Sequence, residues 1–547
     1  MADALVPDIS SLQIGPECSG EERHIPLLGD DQYCSHKIKK HTAPKLLPPG
    51  FSIVPVDSVS QSTYTAKLCA LSAPPAAMGV VCSGTLESLE KLTSGDAKTV
   101  YKASLMLVEG SVVDYQPGDS IGVCCANSPA DVSWVLEHID LGDLHDPDCP
   151  FVLQPVAGRS TPLPTWLLPD VPLSLRFRLT HCCELHVPVT KRMTRTLADC
   201  CVLPVDSDPY ARRQSTRLLD LSSKEGQDLF DRCIRKPNVT FFDLLCSFPA
   251  CKIPIVRLLE LLPRLLPRPY TLLDSPQRTK DGHQLLSFVF SRVDFDPLLE
   301  EKELAGLKRY QYRLHGVCTG FLERVWGDHT THRCCFPVYL RRNLNKFQLP
   351  DDPSQPVIMI GAGTGLAPFM SFMRSQQYAT SIARHPLWLI FGCRSPLTSL
   401  LFAEELGQFL TDKILSHCCL CFSRYNAACA DPILPSCVSK RLADQACVHR
   451  NARYVQHCVD PTLTNHREQL TEWVLQRNAK IMVCGEAKSM APAIMEAWVQ
   501  LISTASRGGA KNSNGSAPNL SEEDFERGRE YVKTMRSEKR YIEDIWS

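Results

Sequence analysis

The stretch "GAGTGLAPF", residues 361–369, follows the apolar run "PVIMI" and sets Gly361, Gly363 and Gly365 around Thr364. A strand feeding a glycine-rich turn lets backbone N–H groups approach a phosphate. Glycine supplies close approach and positive φ, and a threonine hydroxyl can bond a phosphate oxygen. The spacing is G-x-G-x-G rather than G-x-G-x-x-G, so a tight turn without a ligand competes with a phosphate site. Other apolar runs also end on residues suited to a nucleotide. "FGCR" closes on Arg394, and "FSR" on Ser423 and Arg424, where an NAD-binding strand would carry an acidic residue for the ribose. A hydroxyl and a guanidinium suit the 2′-phosphate of NADP instead. "ARYVQ" (452–456) adds Arg453, Tyr454 and Gln456, a second cation and an aromatic platform for adenine. Singly each arginine reads as a solvated surface cation; together they favour NADP over NAD. "VCGEAKSM" (483–490) ends an apolar strand on Cys484 and Glu486, and a buried inert thiol is the ordinary reading of that cysteine.

A second constellation lies upstream. "LPRLLPRPYTLLDS" (262–275) puts Arg268, Tyr270 and Thr271 at the start of a strand. "HGVCTGFL" (315–322) is another glycine-bounded turn opening an apolar stretch, with successive N–H groups and a threonine.

The elements that must position these residues follow from periodicity. Residues 1–60 carry a basic, proline-containing stretch, "KIKKHTAPKLLPPG", and read as tail and linker. Strand-like runs follow at 63–71 and 98–110, and "YQPGDSIGV" (115–123) reads as a turn feeding a strand. Apolar residues then recur at helical spacing in 128–141, 189–202, 225–235 and 239–248. "HQLLSFVFSRVDF" (283–295) returns to strand, so the β pieces on either side form one barrel with a helical insertion at about 130–265. From "PVIMI" onward, strands and helices alternate, as in βαβ units with a parallel sheet. "SRGGAKNSNGSAPN" (506–519) reads as a flexible loop, and the tail from Ser521, with Asp524 in a capping-box arrangement, as a final helix.

Composition bounds the partners. Lys and Arg total 59 against 60 Asp and Glu, a net charge of -1, which argues against non-specific nucleic-acid or membrane binding. No apolar run approaches the ~20 residues that span a bilayer. "MADALVPDIS" has no basic start followed by an apolar run, so the 26 cysteines read as reduced thiols of a cytoplasmic protein rather than a disulfide framework. "HCCELH" (181–186) and "HCCLC" (417–421) each lack a second ligand pair at zinc-like spacing, and no metal is expected.

Taken in order, Arg-x-Tyr-Thr, "GVCTG", "GAGTGLAPF", "FGCR", "FSR", "YVQ", "VCGEAK" and the terminal "DIWS" resemble the ferredoxin–NADP reductase-like half of the diflavin reductases. "LPRLLPRPY", "LPDDPSQPVIMIGAGTG" and "KRYIEDIWS" are most similar to the methionine synthase reductase branch. The resemblance covers about residues 60–547. It implies a multi-domain α/β chain: an antiparallel β-barrel FAD-binding domain over 61–345 with the helical insertion, then a Rossmann-like parallel-sheet NADP-binding domain over 346–547.

It also implies roles. Arg268 would face the FAD pyrophosphate with Pro269 beside it. Tyr270 would pack on the isoalloxazine, and Thr271, where the family usually has Ser, would lie near flavin N5. Gly316, Val317, Cys318 and Thr319 would cradle FAD. Gly363, Thr364 and Arg394 would hold the NADPH pyrophosphate. Ser423, Arg424, Arg453, Tyr454, Val455 and Gln456 would hold its adenosine 2′-phosphate end. Cys484 and Asp544 would lie by the nicotinamide, Glu486 would replace a usual Asp, and Trp546 would stack on the flavin. The implied reaction is hydride transfer from NADPH to FAD.

The family's FMN domain is not seen in residues 1–60, so FMN is not expected here and the chain reads as a reductase half. The acceptor would be methionine synthase, a separate flavodoxin-like FMN protein, or another redox partner. A scaffold or chaperone that merely keeps the fold is the competing reading, and Cys484, Asp544 and Trp546 speak against it.

Overall fold

Val357, Ile358, Met359 and Ile360 are completely buried, as expected of a strand covered on both faces. The computed structural model describes residues 42–56, 81–108, 111–157, 162–201, 209–236, 238–279, 281–295, 314–328, 334–378, 384–425, 438–448, 452–506 and 520–546. The strand expected at 63–71 lies outside these residues, as do 1–41 of the tail and nearly all of the 506–519 loop.

The chain divides into two compact units, one comprising 1–74, 123–268 and 293–337, the other 75–122, 269–292 and 338–547. The helical block with its flanking segments stands alone, and the antiparallel strands group with the parallel sheet. The cores explain the division. One cluster, from Phe51 to Leu262, closes entirely within the first unit. In the second unit, Val100, Leu273 and Val289 from antiparallel segments share a cluster with Val357, Met359 and Leu389.

The first unit is built from helices that include Pro129–His138, Leu175–His181, Lys191–Asp199, Pro209–Ser222, Phe241–Ser247 and Ile255–Leu261. Phe51–Pro55, expected as linker, is a strand paired antiparallel with Phe151–Pro155. Phe51 is buried and anchors it to the helical core. Cys201 and Cys251 are joined as a disulfide, a departure from the expectation that all thiols are free.

In the second unit, six strands among the described residues form one parallel sheet. Their order is Cys447–Val448, His417–Phe422, Leu387–Cys393, Val357–Ala362, Lys480–Glu486 and Tyr541–Trp546. Alternate residues of the Val357 strand enter opposite clusters, Val357 and Met359 in one, Ile358 and Ile360 in the other. The chain winds outward from the Val357 strand to Cys447, then restarts on its other side at Lys480. That reversal puts a topological switch point between the Val357 and Lys480 strands, where open α/β sheets hold ligands at their C-terminal ends.

A seven-stranded sheet runs Arg268–Thr271, Ser120–Val123, Cys335–Arg341, Val81–Lys91, Val100–Leu107, Gln284–Ser291, Gln277–Arg278. Leu272 bridges to Phe288, and the Leu273 N–H donates to the Ser287 carbonyl at 2.8 Å. The first strand therefore meets the sixth and the sheet curls into a barrel.

The tail departs from a single final helix. Glu522–Ser537 is helical, and Ser521 and Asp524 exchange the capping hydrogen bonds. Lys539 then takes a left-handed conformation, φ 60°, which no helix continues through, and Tyr541–Trp546 joins the parallel sheet.

Candidate functional site

The Gly361 turn is built by packing as much as by φ. Gly363 alone of the three glycines has positive φ, 56°. Gly365 presses on the end of the Lys480 strand: a Cβ there would stand 2.9 Å from the Cys484 carbonyl carbon, with the oxygen nearer still. Gly361 is closed in by the Gly365 carbonyl and the Phe369 ring. Gly363–Leu366 forms a 3-10 turn leading into the helix Ala367–Tyr378. Thr364 is half-buried at the mouth of this turn.

Sheet register assembles the next group. Cys484 lies level with Gly361 on one side and with Asp544 on the other, and Glu486 lies level with Trp546. The Ala487 N–H donates to the Trp546 carbonyl at 2.8 Å, extending that ladder. Burial, then the neighbouring Asp544 carboxylate, pushes the Cys484 thiol well above its ordinary range, so it stays a neutral thiol. Burial raises the Asp544 carboxyl, and Arg341 opposes that rise. Trp546 is 45% exposed, an indole held at the sheet edge with much of its surface open.

Glu486 does something else. Its carboxylate accepts from the Ser489 hydroxyl at 2.7 Å and from the N–H groups of Lys488, Ser489 and Met490 at 2.6, 2.8 and 3.4 Å. These bonds, led by Ser489, lower its pKa to about 2. The acid caps the helix Met490–Ser506, so its visible work is shaping the loop.

The cationic group sits along the other arm of the sheet. Arg394 follows the Leu387 strand, and Ser423 and Arg424 follow the His417 strand. Beyond the strand ends, the Ser423 N–H donates to Cys393 at 3.0 Å and the Arg424 N–H to Arg394 at 2.9 Å, so the two segments stay paired. Arg453 and Tyr454, both exposed, lead into the 3-10 turn Val455–Cys458, which packs on these two strands. Val455 is buried, and its Cγ1 would lie 2.9 Å from a Cβ on Gly392. Its side chain packs at that point, and Gln456 is half-buried beside it. Among the described residues no carboxylate pairs with Arg394, Arg424 or Arg453. Cations left without a carboxylate at the C-terminal ends of a parallel sheet fit the phosphates of a dinucleotide.

The residues expected around a flavin fall into two groups, one in each unit. In the second, Tyr270 stacks on Phe288 with centroids 5.0 Å apart, and Tyr270 and Thr271 are half-buried. Asp119 holds this strand's end: its carbonyl accepts from Leu272 N–H, and its carboxylate accepts from Asn343 N–H at 2.8 Å and Arg342 at 3.1 Å. In the first unit, Gly316–Thr319 is the start of the twelve-residue helix Val317–Asp328. A Cβ on Gly316 would meet Val293 at 2.8 Å and the Thr319 hydroxyl at 2.9 Å, so glycine is needed there. The Gly316 N–H is given to the Val293 carbonyl at 2.7 Å; a helix start of this kind, whose first N–H groups have no intrahelical acceptor, suits a phosphate. Arg268 donates to Glu184 at 2.8 Å and to the Leu266 carbonyl. Glu184 is nearly buried while the Arg268 side chain is 38% exposed, so the acid grips the guanidinium from behind and leaves its outer face open. Pro269 is exposed. Sequence reasoning missed Glu184, and the signal was there: a lone carboxylate inside the apolar "HCCELH" needs a cationic partner.

Residues 77–297 match the family model described as "FAD binding domain", and 359–421 match "Oxidoreductase NAD-binding domain". The chain carries both an FAD-binding and an oxidoreductase NAD-binding domain and is similar to the ferredoxin–NADP reductase-like half of diflavin reductases. It is 33% identical over 480 residues to methionine synthase reductase of Rattus norvegicus, a match covering 84% of this chain and 60% of the relative. The Homo sapiens methionine synthase reductase is 33% identical over 478 residues, with the same coverage. NADPH–cytochrome P450 reductase of Dictyostelium discoideum is 25% identical over 437 residues, 80% of this chain and 54% of that protein. The chain thus spans about 60% of the length of the methionine synthase reductases it matches most closely among these. In this reductase half the cofactors are FAD and NADPH. Arg268, Tyr270 and Thr271 fall within the FAD-binding match, and the Gly361 turn and Arg394 within the NAD-binding match. No helix among the described residues is long and apolar enough to cross a membrane.

Proposed function

We propose that this chain is an NADPH-dependent flavoprotein reductase that serves methionine synthase, directly or through a separate FMN-carrying flavodoxin-like partner, in the cytoplasm. The observation that carries the catalytic part is the register of the parallel sheet at its switch point. Thr364, Cys484, Asp544 and Trp546 come from three neighbouring strand ends, while the uncompensated cations lie along one arm. When bound, the cofactors supply the redox chemistry, a hydride passing from nicotinamide C4 to flavin N5.

The residues do the positioning. Arg424 and Ser423, with Arg453, hold a 2′-phosphate; Tyr454 and Gln456 border the adenine; Thr364 and Arg394 hold the pyrophosphate. Cys484 offers a neutral S–H at the reacting end, and Asp544 fixes the polar group there. Thr271 presents its hydroxyl toward the flavin edge, Tyr270 covers a ring face, and Arg268 with Gly316–Thr319 binds the FAD phosphates. Trp546, exposed at the strand end, covers the site until nicotinamide displaces it, a gate of the kind that limits turnover in many enzymes. The methionine synthase assignment rests on the names of the relatives that cover 84% of this chain.

The test is spectroscopic. The purified chain takes up FAD, turns yellow and bleaches with NADPH under anaerobic conditions, and does so far less readily with NADH. A chain that cannot take up FAD, or one that bleaches equally with both nucleotides, refutes the reading. Reductive reactivation of cobalamin-dependent methionine synthase, assayed with and without a flavodoxin, decides the partner.

A further inference from the structure

Away from the nucleotide side chains, the outer edge of the parallel sheet gathers sulfur and nitrogen ligands from three separate segments. Cys419, in the His417 strand, and Cys447, in the two-residue edge strand, are register partners. Adjacent parallel partners point to the same face, and the two thiols are hydrogen-bonded. His466, just before the helix Arg467–Thr471, brings Nε2 to 3.2 Å from Cys447 Sγ. The three ligand atoms all lie within 4.8 Å of one another. A tetrahedral ion with Zn–S near ~2.3 Å and Zn–N near ~2.0 Å needs ligand atoms roughly 3.5–3.8 Å apart, so the His466–Cys447 pair at 3.2 Å would open slightly.

The surroundings are those of a ligand set rather than of idle thiols. The Trp388 indole N–H donates to Cys419 Sγ at 3.3 Å and holds that sulfur in place. The Gln469 amide bonds the His466 imidazole and sits 2.9 Å from His417, so the ring orientation is fixed from behind. Cys419 is buried, whereas Cys447 and His466 are half-buried, leaving an entry path from the sheet edge. The edge strand itself needs help: two residues provide little pairing, and a shared ion would tie it to its neighbour and to the following helix.

We propose that Cys419, Cys447 and His466 form a zinc site. Two thiolates and one imidazole select a borderline-soft divalent ion over calcium or magnesium, and three protein ligands leave one position for water or for Cys458, which lies on the same face. Binding Zn²⁺ releases the two thiol protons, and nothing is oxidised or reduced. The proposal stands whether or not the nucleotide reading does.

The test uses the full chain, kept reduced with a phosphine, stripped by chelation, and titrated with Zn²⁺ alone against a chromophoric chelator. One tight equivalent is expected. Cys447→Ser and His466→Gln each weaken it by ~10²-fold or more, beyond the ~10–100-fold cost of losing an outer hydrogen-bond partner. Cys149→Ser, an exposed thiol of the other unit, leaves it unchanged. Co²⁺ in place of zinc gives a thiolate charge-transfer band and intense tetrahedral visible bands that both ligand variants lose. X-ray absorption of the zinc form shows at least two sulfurs and one imidazole. A chain with no tight equivalent, variants that bind as the parent does, or an all-sulfur shell overturns the site and marks adventitious binding to other thiols. Should Cys447→Ser fail to fold, His466→Gln and the absorption shell decide it.

Discussion

Gly365→Ala is the substitution that most directly tests how the turn and the Lys480 strand make one site. The new Cβ would stand 2.9 Å from the Cys484 carbonyl carbon, against the ~3.5–4.0 Å of an ordinary carbon contact, so about 0.6–1.1 Å of separation must be found. It cannot come from a flexible side chain, because the opposing atoms are backbone of a strand paired on both sides. The turn must move instead, carrying Thr364 away from the Cys484–Asp544 end. Overpacking of this kind costs about 1–3 kcal/mol, and a misplacement near ~1 Å in a positioning residue lowers rate by roughly 10²-fold. The expected outcome is a thermal midpoint a few degrees lower, with kcat/KM for NADPH-dependent ferricyanide reduction down by about 10²-fold. Gly363→Ala is the control. Nothing lies within 4 Å of its Cβ, and only the left-handed φ is penalised, by roughly 1–2 kcal/mol. A Gly365→Ala chain with unchanged kcat/KM, or losses no larger than those of Gly363→Ala, would refute the reasoning.

Two further outcomes are expected. Arg424→Ala removes a charge-assisted contact worth about 1.5–3 kcal/mol, so the KM for NADPH rises ~10–100-fold while that for NADH barely moves; equal changes remove Arg424 from the 2′-phosphate. Glu486, with its pKa lowered to about 2, stabilises the folded state fully above the unfolded carboxyl value of ~4.3, and that contribution is lost as pH falls from there through its folded pKa. The urea midpoint gap between the parent and Glu486→Gln is therefore constant from neutral pH down to about 5 and narrows below ~4.3; a gap that widens on acidification contradicts the capping role.

The parallel sheet was readable because its strands are buried on both faces, and that makes "PVIMI" and "LWLIFGC" continuous apolar runs. The Ser521–Asp524 cap was readable because it is local. What escaped were pairings set by distant chain. Phe51–Pro55 gains its strand only from Phe151–Pro155, and Lys539 ends a helix by a backbone conformation that lysine seldom takes. The packing of Val455, expected at a nucleotide within "YVQ", over Gly392 escaped as well. So did the bonds by which Glu486, expected near the nucleotide, caps the following helix.

The cysteines carry the argument one step further. Ligand spacing such as C-x₂-C identifies metal sites in which one turn supplies two ligands. By that rule "HCCLC" is empty, because its neighbouring ligands do not follow within a few residues. In a parallel sheet, however, register neighbours are separated by a whole strand–helix–strand crossover. Cys419 therefore meets Cys447 across the ladder, and His466 arrives from the loop before the next helix. A metal site built on such a sheet has no short-range signature, and the ligands should be sought at equal height on adjacent strands.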